Sequence, residues 1–79
     1  MARYFFHLHN DTDTLDEHGT EFPDDAAAIA HGRTEALAMA TASVSEHSHL
    51  VLDHHVIVAN DEGECVARIR FGDVVEIRA

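Results

Sequence analysis

Of the five phenylalanine and tyrosine residues in this chain, three are consecutive: Tyr4, Phe5 and Phe6. They sit in an alternating segment, Arg3 to His9. Period-two alternation predicts a strand, with Tyr4, Phe6 and Leu8 on one face and Arg3, Phe5, His7 and His9 on the other. A chain of 79 residues has few large side chains for a core, so a segment this rich in them belongs in the middle of the fold. The first face reads as core. On the second, Phe5 between Arg3 and His7 puts an apolar ring where a solvated strand carries a polar one. Arg3, Phe5, His7 and His9 are therefore the candidate partner-binding residues.

The elements that follow can be read in order. Asn10 to Asp16 is a polar loop, and Asp16-Glu17-His18-Gly19 is a turn with Gly19 available for a positive φ. Thr20 to Phe22 is a short extended piece ahead of Pro23. Leu15 and Phe22 are the large apolar residues that can anchor this region. Either Asp24 caps a helix or Pro23 is its first residue, and the acidic pair Asp24-Asp25 suits the positive end of the helix dipole. The helix is expected from about Asp25 to about Glu46. Ala26, Ile29, Ala30, Leu37, Ala40 and Val44 recur at spacings of three and four and predict its core stripe. Gly32 inside it costs about 1 kcal/mol relative to alanine, a cost that close packing against another backbone would offset.

Leu50 to Ala59 is the next strand region. Asp53-His54-His55 breaks its pattern and leaves Val56 to Ala59 as the strand proper. Asn60-Asp61-Glu62-Gly63 reads as a hairpin turn, and Glu64 to Phe71 as the return strand, with Cys65, Ala67, Ile69 and Phe71 toward the helix. Val74-Val75-Glu76-Ile77 is a final short strand or an apolar tail. The expected fold class is α+β: one long helix packed on a small, mainly antiparallel sheet, in the order β-β-α-β-β, with that terminal strand left open. Residues 1–79 form a single domain, and the order of strands in the sheet is undetermined.

Charge narrows the functions. Fifteen acidic residues face five arginines and no lysine, a formal net charge of −10. Nucleic acid is excluded as a direct partner, because its binding rests on neutralising phosphates with cations. An anionic membrane surface is disfavoured for the same reason, and a basic protein is the electrostatically natural partner. Much of the apolar content is alanine, which buries little area, so the small core favours a homo-oligomer. No apolar run approaches the roughly 20 residues of a membrane span, and the N-terminus has no signal-peptide pattern. The single cysteine, Cys65, fits a reducing compartment. A cytoplasmic chain is expected.

Few constellations suggest chemistry. Cys65 alternates with core positions and reads as a small buried hydrophobe. Ser43, Ser45 and Ser48 lack a glycine elbow, and the four glycines form no phosphate loop. The segment starting at Asp11 places Leu15, Asp16 and Phe22 where a calcium loop needs an oxygen, a glycine and a carboxylate. No catalytic residue, enzyme activity or cofactor is assigned. The eight histidines are the unusual feature. His7-x-His9 has a chelating spacing, and His47-x-His49, His54 and His55 add nitrogens. If the strand around His55 lies beside the first strand, His7, His9 and His55 meet. Nothing has the spacing of a closed zinc site, so no metal is assigned. Protonating the histidines as pH falls through about 6.5 would cancel most of the negative charge.

The segment Arg-Tyr-Phe-Phe-His-Leu, the run from Asp16 to Asp24, the Ala-rich helix around Glu35-Ala36-Leu37, and the closing stretch from Val56 through Asp61-Glu62-Gly63 to Ile77 together resemble a family of short bacterial proteins with a domain of unknown function. Asp25, where that family's pattern has an apolar residue, and the many histidines depart from it. The resemblance implies no catalytic residues. A more distant likeness is to HicB-type antitoxins, which share the aromatic strand, the Asp/Gly turn and the Pro-Asp helix start, and which bind a basic toxin. This chain lacks their second long strand and their DNA-binding segment. The reading that results is a small acidic protein-interaction domain, homodimeric. The alternatives are a HicB-like antitoxin or regulatory partner of a basic protein, and a histidine-based metal or small-ligand module.

Overall fold

The structure is a computed structural model and describes residues 1–76 and Arg78. Its elements are β1 (Ala2–His9), β2 (Asp13–Thr14), β3 (Thr20–Phe22), α1 (Asp25–His47), β4 (His55–Ala59), β5 (Cys65–Arg70) and α2 (Phe71–Val74). The expected α+β class holds: one long helix on a five-stranded antiparallel sheet. The strands are ordered β2-β1-β4-β5, and β3 also pairs with β1. The aromatic β1 is thus interior. β4 flanks it over Phe5 to His9. On its other side β3 covers Ala2 to Tyr4 and β2 covers Leu8 and His9. The loop expected from Asn10 to Asp16 therefore contains a two-residue strand, held through the pairs Leu8–Thr14 and His9–Asp13.

Helix α1 starts where the sequence places it. Asp24 is the N-cap, and its carboxylate accepts the Ala27 N–H at 2.8 Å. Asp25 follows in the first turn, near the positive dipole end. Ser48 ends the helix at φ 57°, donating its N–H to Val44 O.

The buried face of α1 differs from the expected stripe. Ala28, Gly32, Ala36 and Ala40 are buried, four residues apart on one ridge. Ala26 and Ala30 are exposed, Leu37 is 47 % exposed and Val44 52 %. On so alanine-rich a helix, apolar residues run almost evenly round the circumference and periodicity does not locate the core. The sheet selects the smallest side chains because they allow the closest approach. Gly32 is the extreme case. A Cβ there would stand 2.7 Å from Val58 Cγ2 and 2.9 Å from Ile69 Cδ1, so the close neighbours are side chains and not another backbone.

The core joins Tyr4, Val56, Val58, Ile69 and Phe71 to Ala28, Ala36 and Ala40, with Phe6, Leu8 and Phe22 packed partly buried against it. Leu15 does not anchor the polar loop to this core; it is 63 % exposed. Phe22 alone does that work, edge-on to Tyr4 and Phe6.

Two further expectations fail for local reasons. Cys65 is exposed, because β5 bulges: Val58 pairs with Ala67 but Ala59 pairs with Cys65. The extra residue, Val66, shifts the alternation, leaving Ala67, Ile69 and Phe71 in phase with the helix. Beyond β5 the chain makes the short helix α2 where a strand or tail was expected. Asp73 Oδ2 accepts the Arg70 N–H at 2.9 Å, while Phe71 N–H donates to His54 O and Gly72 N–H to Leu52 O. Ile77, in the expected terminal segment, lies outside the described residues. Among the described residues no helix is long and apolar enough to cross a membrane.

Candidate functional site

Helix α1 covers one face of the sheet. The other carries the four sequence-predicted residues, and each is engaged within the fold. Arg3 donates from Nη1 to His18 O at 2.7 Å and from Nη2 to Glu21 Oε1 at 3.1 Å. Glu21 is its cross-strand partner, so the guanidinium holds β3 and the turn. The Phe5 ring lies against Gly19, whose added Cβ would sit 2.9 Å from Phe5 Cε2. Gly19 has φ +70°, so the tight turn that this ring covers needs glycine twice over, for space and for backbone. Phe5 also stacks on His7, centroids 6.3 Å apart.

Asp16 organises this turn. Between the short β2 and β3 ladders the edge of β1 has a gap, and the Asp16 carboxylate fills it. Oδ2 accepts the Phe6 N–H at 3.2 Å, and Oδ1 accepts those of His18 and Gly19 at 3.1 Å each. Burial pushes this carboxyl upward, but hydrogen bonds from Gly19, Phe6 and His18, with the nearby His7, outweigh it and hold it below its ordinary 3.8. The Asp16 N–H in turn donates to His7 Nδ1 at 3.0 Å. Sequence reasoning placed Asp16 only in a turn.

The histidines meet in part. His9 and His55 are directly opposed in the β1–β4 ladder and their rings stack at 5.0 Å. His9 Nδ1 lies 2.8 Å from Asp13 Oδ1. His7 faces Ile57 across the ladder and stays with Asp16. Among the described residues no three metal-ligating side chains converge.

Asp25, the departure from the resembled pattern, has a local role: its Oδ1 accepts the Tyr4 O–H at 2.5 Å. Tyr4 is only 3 % exposed. That bond first, then burial and the charges of Asp25, Asp24 and Asp61, push the phenol up to about 12.

An apolar concave surface lies elsewhere. A groove of about 510 Å³ runs between the C-terminal half of α1 and the tail, lined by Leu37, Ala40, Val44, Leu50, Val74 and Val75 among others. Val51 and Leu52 are also exposed on the loop after α1. The sequence signal for this groove was present in Leu37 and Val44, but they were assigned to the core. A smaller groove of about 240 Å³ lies between α1 and β1 to β2, with Glu35 and Asp16 in its wall. Glu35 Oε1 is 3.3 Å from His31 Nε2, and His31 packs on Phe6 and Phe22.

A family described as a domain of unknown function (DUF6894) matches residues 3–72. No curated protein and no solved structure matches the chain.

Proposed function

The chain belongs to the DUF6894 family, a domain of unknown function, and on that premise we propose that it works by protein contact, as a homodimer. One observation carries the reading. Leu37 and Val44 are exposed in the wall of an open apolar groove at one end of α1, with Leu50, Val74 and Val75. Contiguous apolar surface of this kind marks an interaction site more often than a solvated one. A second copy is the simplest partner, since a two-fold interface needs only one self-complementary patch.

Sedimentation of the chain at micromolar concentration tests this. The expected mass is twice 8.7 kDa, and Val44→Asp, which puts a charge in the apolar contact, returns it to the monomer. A wild-type monomer ends the reading. Loss of the dimer in Phe5→Asp but not in Val44→Asp moves the contact to the outer face of β1 and β4, where Phe5, His7 and Ile57 are partly exposed.

A basic protein is the second reading, favoured by the −10 charge. It is the form in which the antitoxin likeness remains a proposal. Such a partner would be captured from a lysate at low salt and released as salt screens the attraction. Capture unaffected by salt counts against it.

A further inference from the structure

We propose that His9 and His55 form a two-histidine binding site for a divalent transition ion, with zinc as the fitting case, on the sheet face opposite the helix. The proposal is independent of the dimer reading, because the apolar groove lies at the other face of the fold.

Proton placement carries the argument. A neutral imidazole has one N–H and one lone pair, and the partner of one nitrogen decides the state of the other. His9 Nδ1 lies 2.8 Å from the Asp13 carboxylate, and His55 Nδ1 lies 3.0 Å from the Asp53 carbonyl. Both partners are acceptors, so both Nδ1 atoms carry the proton. Each ring is left with its lone pair on Nε2. This is the arrangement that metal-binding histidines use, with a carboxylate or carbonyl behind the ring fixing tautomer and orientation.

The spacing agrees. The two residues are paired across adjacent strands, and their rings lie 5.0 Å apart with 22° between planes. Two zinc–nitrogen bonds of about 2.0–2.1 Å at a tetrahedral angle separate the nitrogens by about 3.3 Å and the ring centres by about 5 Å, the separation these two rings have. Water completes the coordination, so the ion keeps open positions, unlike a closed structural site.

The same logic excludes His7. His7 Nδ1 accepts the Asp16 N–H, which puts its proton on Nε2 and leaves no free lone pair. His54 stands against Phe71, with Asp11 at 3.6 Å from its Nε2. His47 and His49 stack at 5.6 Å, but His47 Nε2 lies 3.9 Å from Glu46 Oε2, and both rings are exposed at the end of α1.

Local charge favours a dication. Arg70 is the cross-strand neighbour of His55, but its guanidinium is 3.7 Å from Asp53 Oδ1 and 3.3 Å from Asp73 Oδ1. With Asp13, three carboxylates face one cation around the pair. Imidazole nitrogen suits zinc, copper and nickel, whereas magnesium and calcium prefer oxygen.

The test titrates zinc chloride into the untagged chain. At ten times its dissociation constant zinc raises the melting temperature by about 6–10 °C, and magnesium does not. His9→Gln and His55→Gln each remove the rise. Asp13→Asn weakens binding by about tenfold, the usual effect of losing a charged partner behind a ligand. The double variant His47→Gln, His49→Gln binds as the wild type does. Imidazole nitrogen resonances in the unmutated protein need no variant: zinc should shift Nε2 of His9 and His55. No thermal shift with millimolar zinc, a shift retained in His55→Gln, or zinc perturbing His47 and His49 instead, overturns the assignment.

Discussion

Replacing Gly32 by alanine should destabilise this protein, although the same change in an open helix stabilises. On an exposed helix Gly→Ala gains about 1 kcal/mol. Here the new methyl carbon would lie 2.7 Å from Val58 Cγ2 and 2.9 Å from Ile69 Cδ1. The Ile69 atom is the end of a side chain and can swing aside. Val58 is fully buried and, being β-branched, is stiff at χ1. Overpacking of this kind costs about 1–3 kcal/mol. The net effect is a loss of about 1 kcal/mol, or about 4–8 °C in melting temperature for a domain this small. The Val58→Ala background supplies the control. That variant loses about 2 kcal/mol by itself but vacates the space the methyl needs. In it, Gly32→Ala should gain about 1 kcal/mol. The four proteins form a double-mutant cycle with a coupling of about 2 kcal/mol. Urea unfolding followed by far-ultraviolet circular dichroism, at one protein concentration so that any association is constant, measures it. The reasoning is refuted if Gly32→Ala raises the midpoint in the wild type, or shifts both backgrounds equally.

Three further outcomes follow from the same contacts. Tyr4 is the only tyrosine and the chain has no tryptophan, so phenolate absorbance reports this one group. It should titrate at about 12; the fold favours the protonated phenol, so that contribution to stability is complete below pH 10 and lost as pH rises through about 12. Asp25→Asn should bring the titration down toward 10.0, and a wild-type midpoint already near 10.0 in the folded protein contradicts the bond to Asp25. Asp16→Ala should cost about 1–3 kcal/mol by stranding three backbone donors. Because the Asp16 carboxyl is held below 3.8 in the fold, the wild-type advantage is complete above pH 3.8 and disappears as pH falls through the lowered value; an equal gap at pH 2 and pH 7 argues against it. Finally, Cys65 is exposed on the bulged end of β5, so a disulfide reagent should modify it in the folded protein as fast as a peptide thiol. Labelling that waits for unfolding would mean the bulge is absent.

The bonds around Asp16 and Asp25 explain why a chain with few large apolar residues keeps so many acids beside its strands. Asp16 completes the β1 edge that two short ladders leave open. Asp24 caps α1, and Asp25 receives the phenol of a core tyrosine. Part of the acidic excess is therefore structural, and substitution at these three positions should act on folding before it acts on any partner.

What local chemistry sets could be read from residue order. Alternation marked β1 as a strand and placed Tyr4 in the core. Asp24 and Asp25 marked the start of α1. Asn60 to Gly63 marked a hairpin turn, where the Asn60 side chain accepts the Glu62 and Glu64 N–H groups. These depend on contacts within a few residues. Tertiary structure decided the rest. Which face of α1 is buried depends on how closely the sheet approaches, and that distance selected Ala28, Gly32, Ala36 and Ala40 over the larger Leu37 and Val44. The exposure of Cys65 depends on a register shift between two strands. The meeting of His9 with His55, and the separation of His7 from both, depend on strand order and on which nitrogen each ring gives to its neighbour. Alternation puts His7 and His9 on the same face; Asp13 and the distant His55 on one side, and the turn at Asp16 on the other, make their chemistry differ.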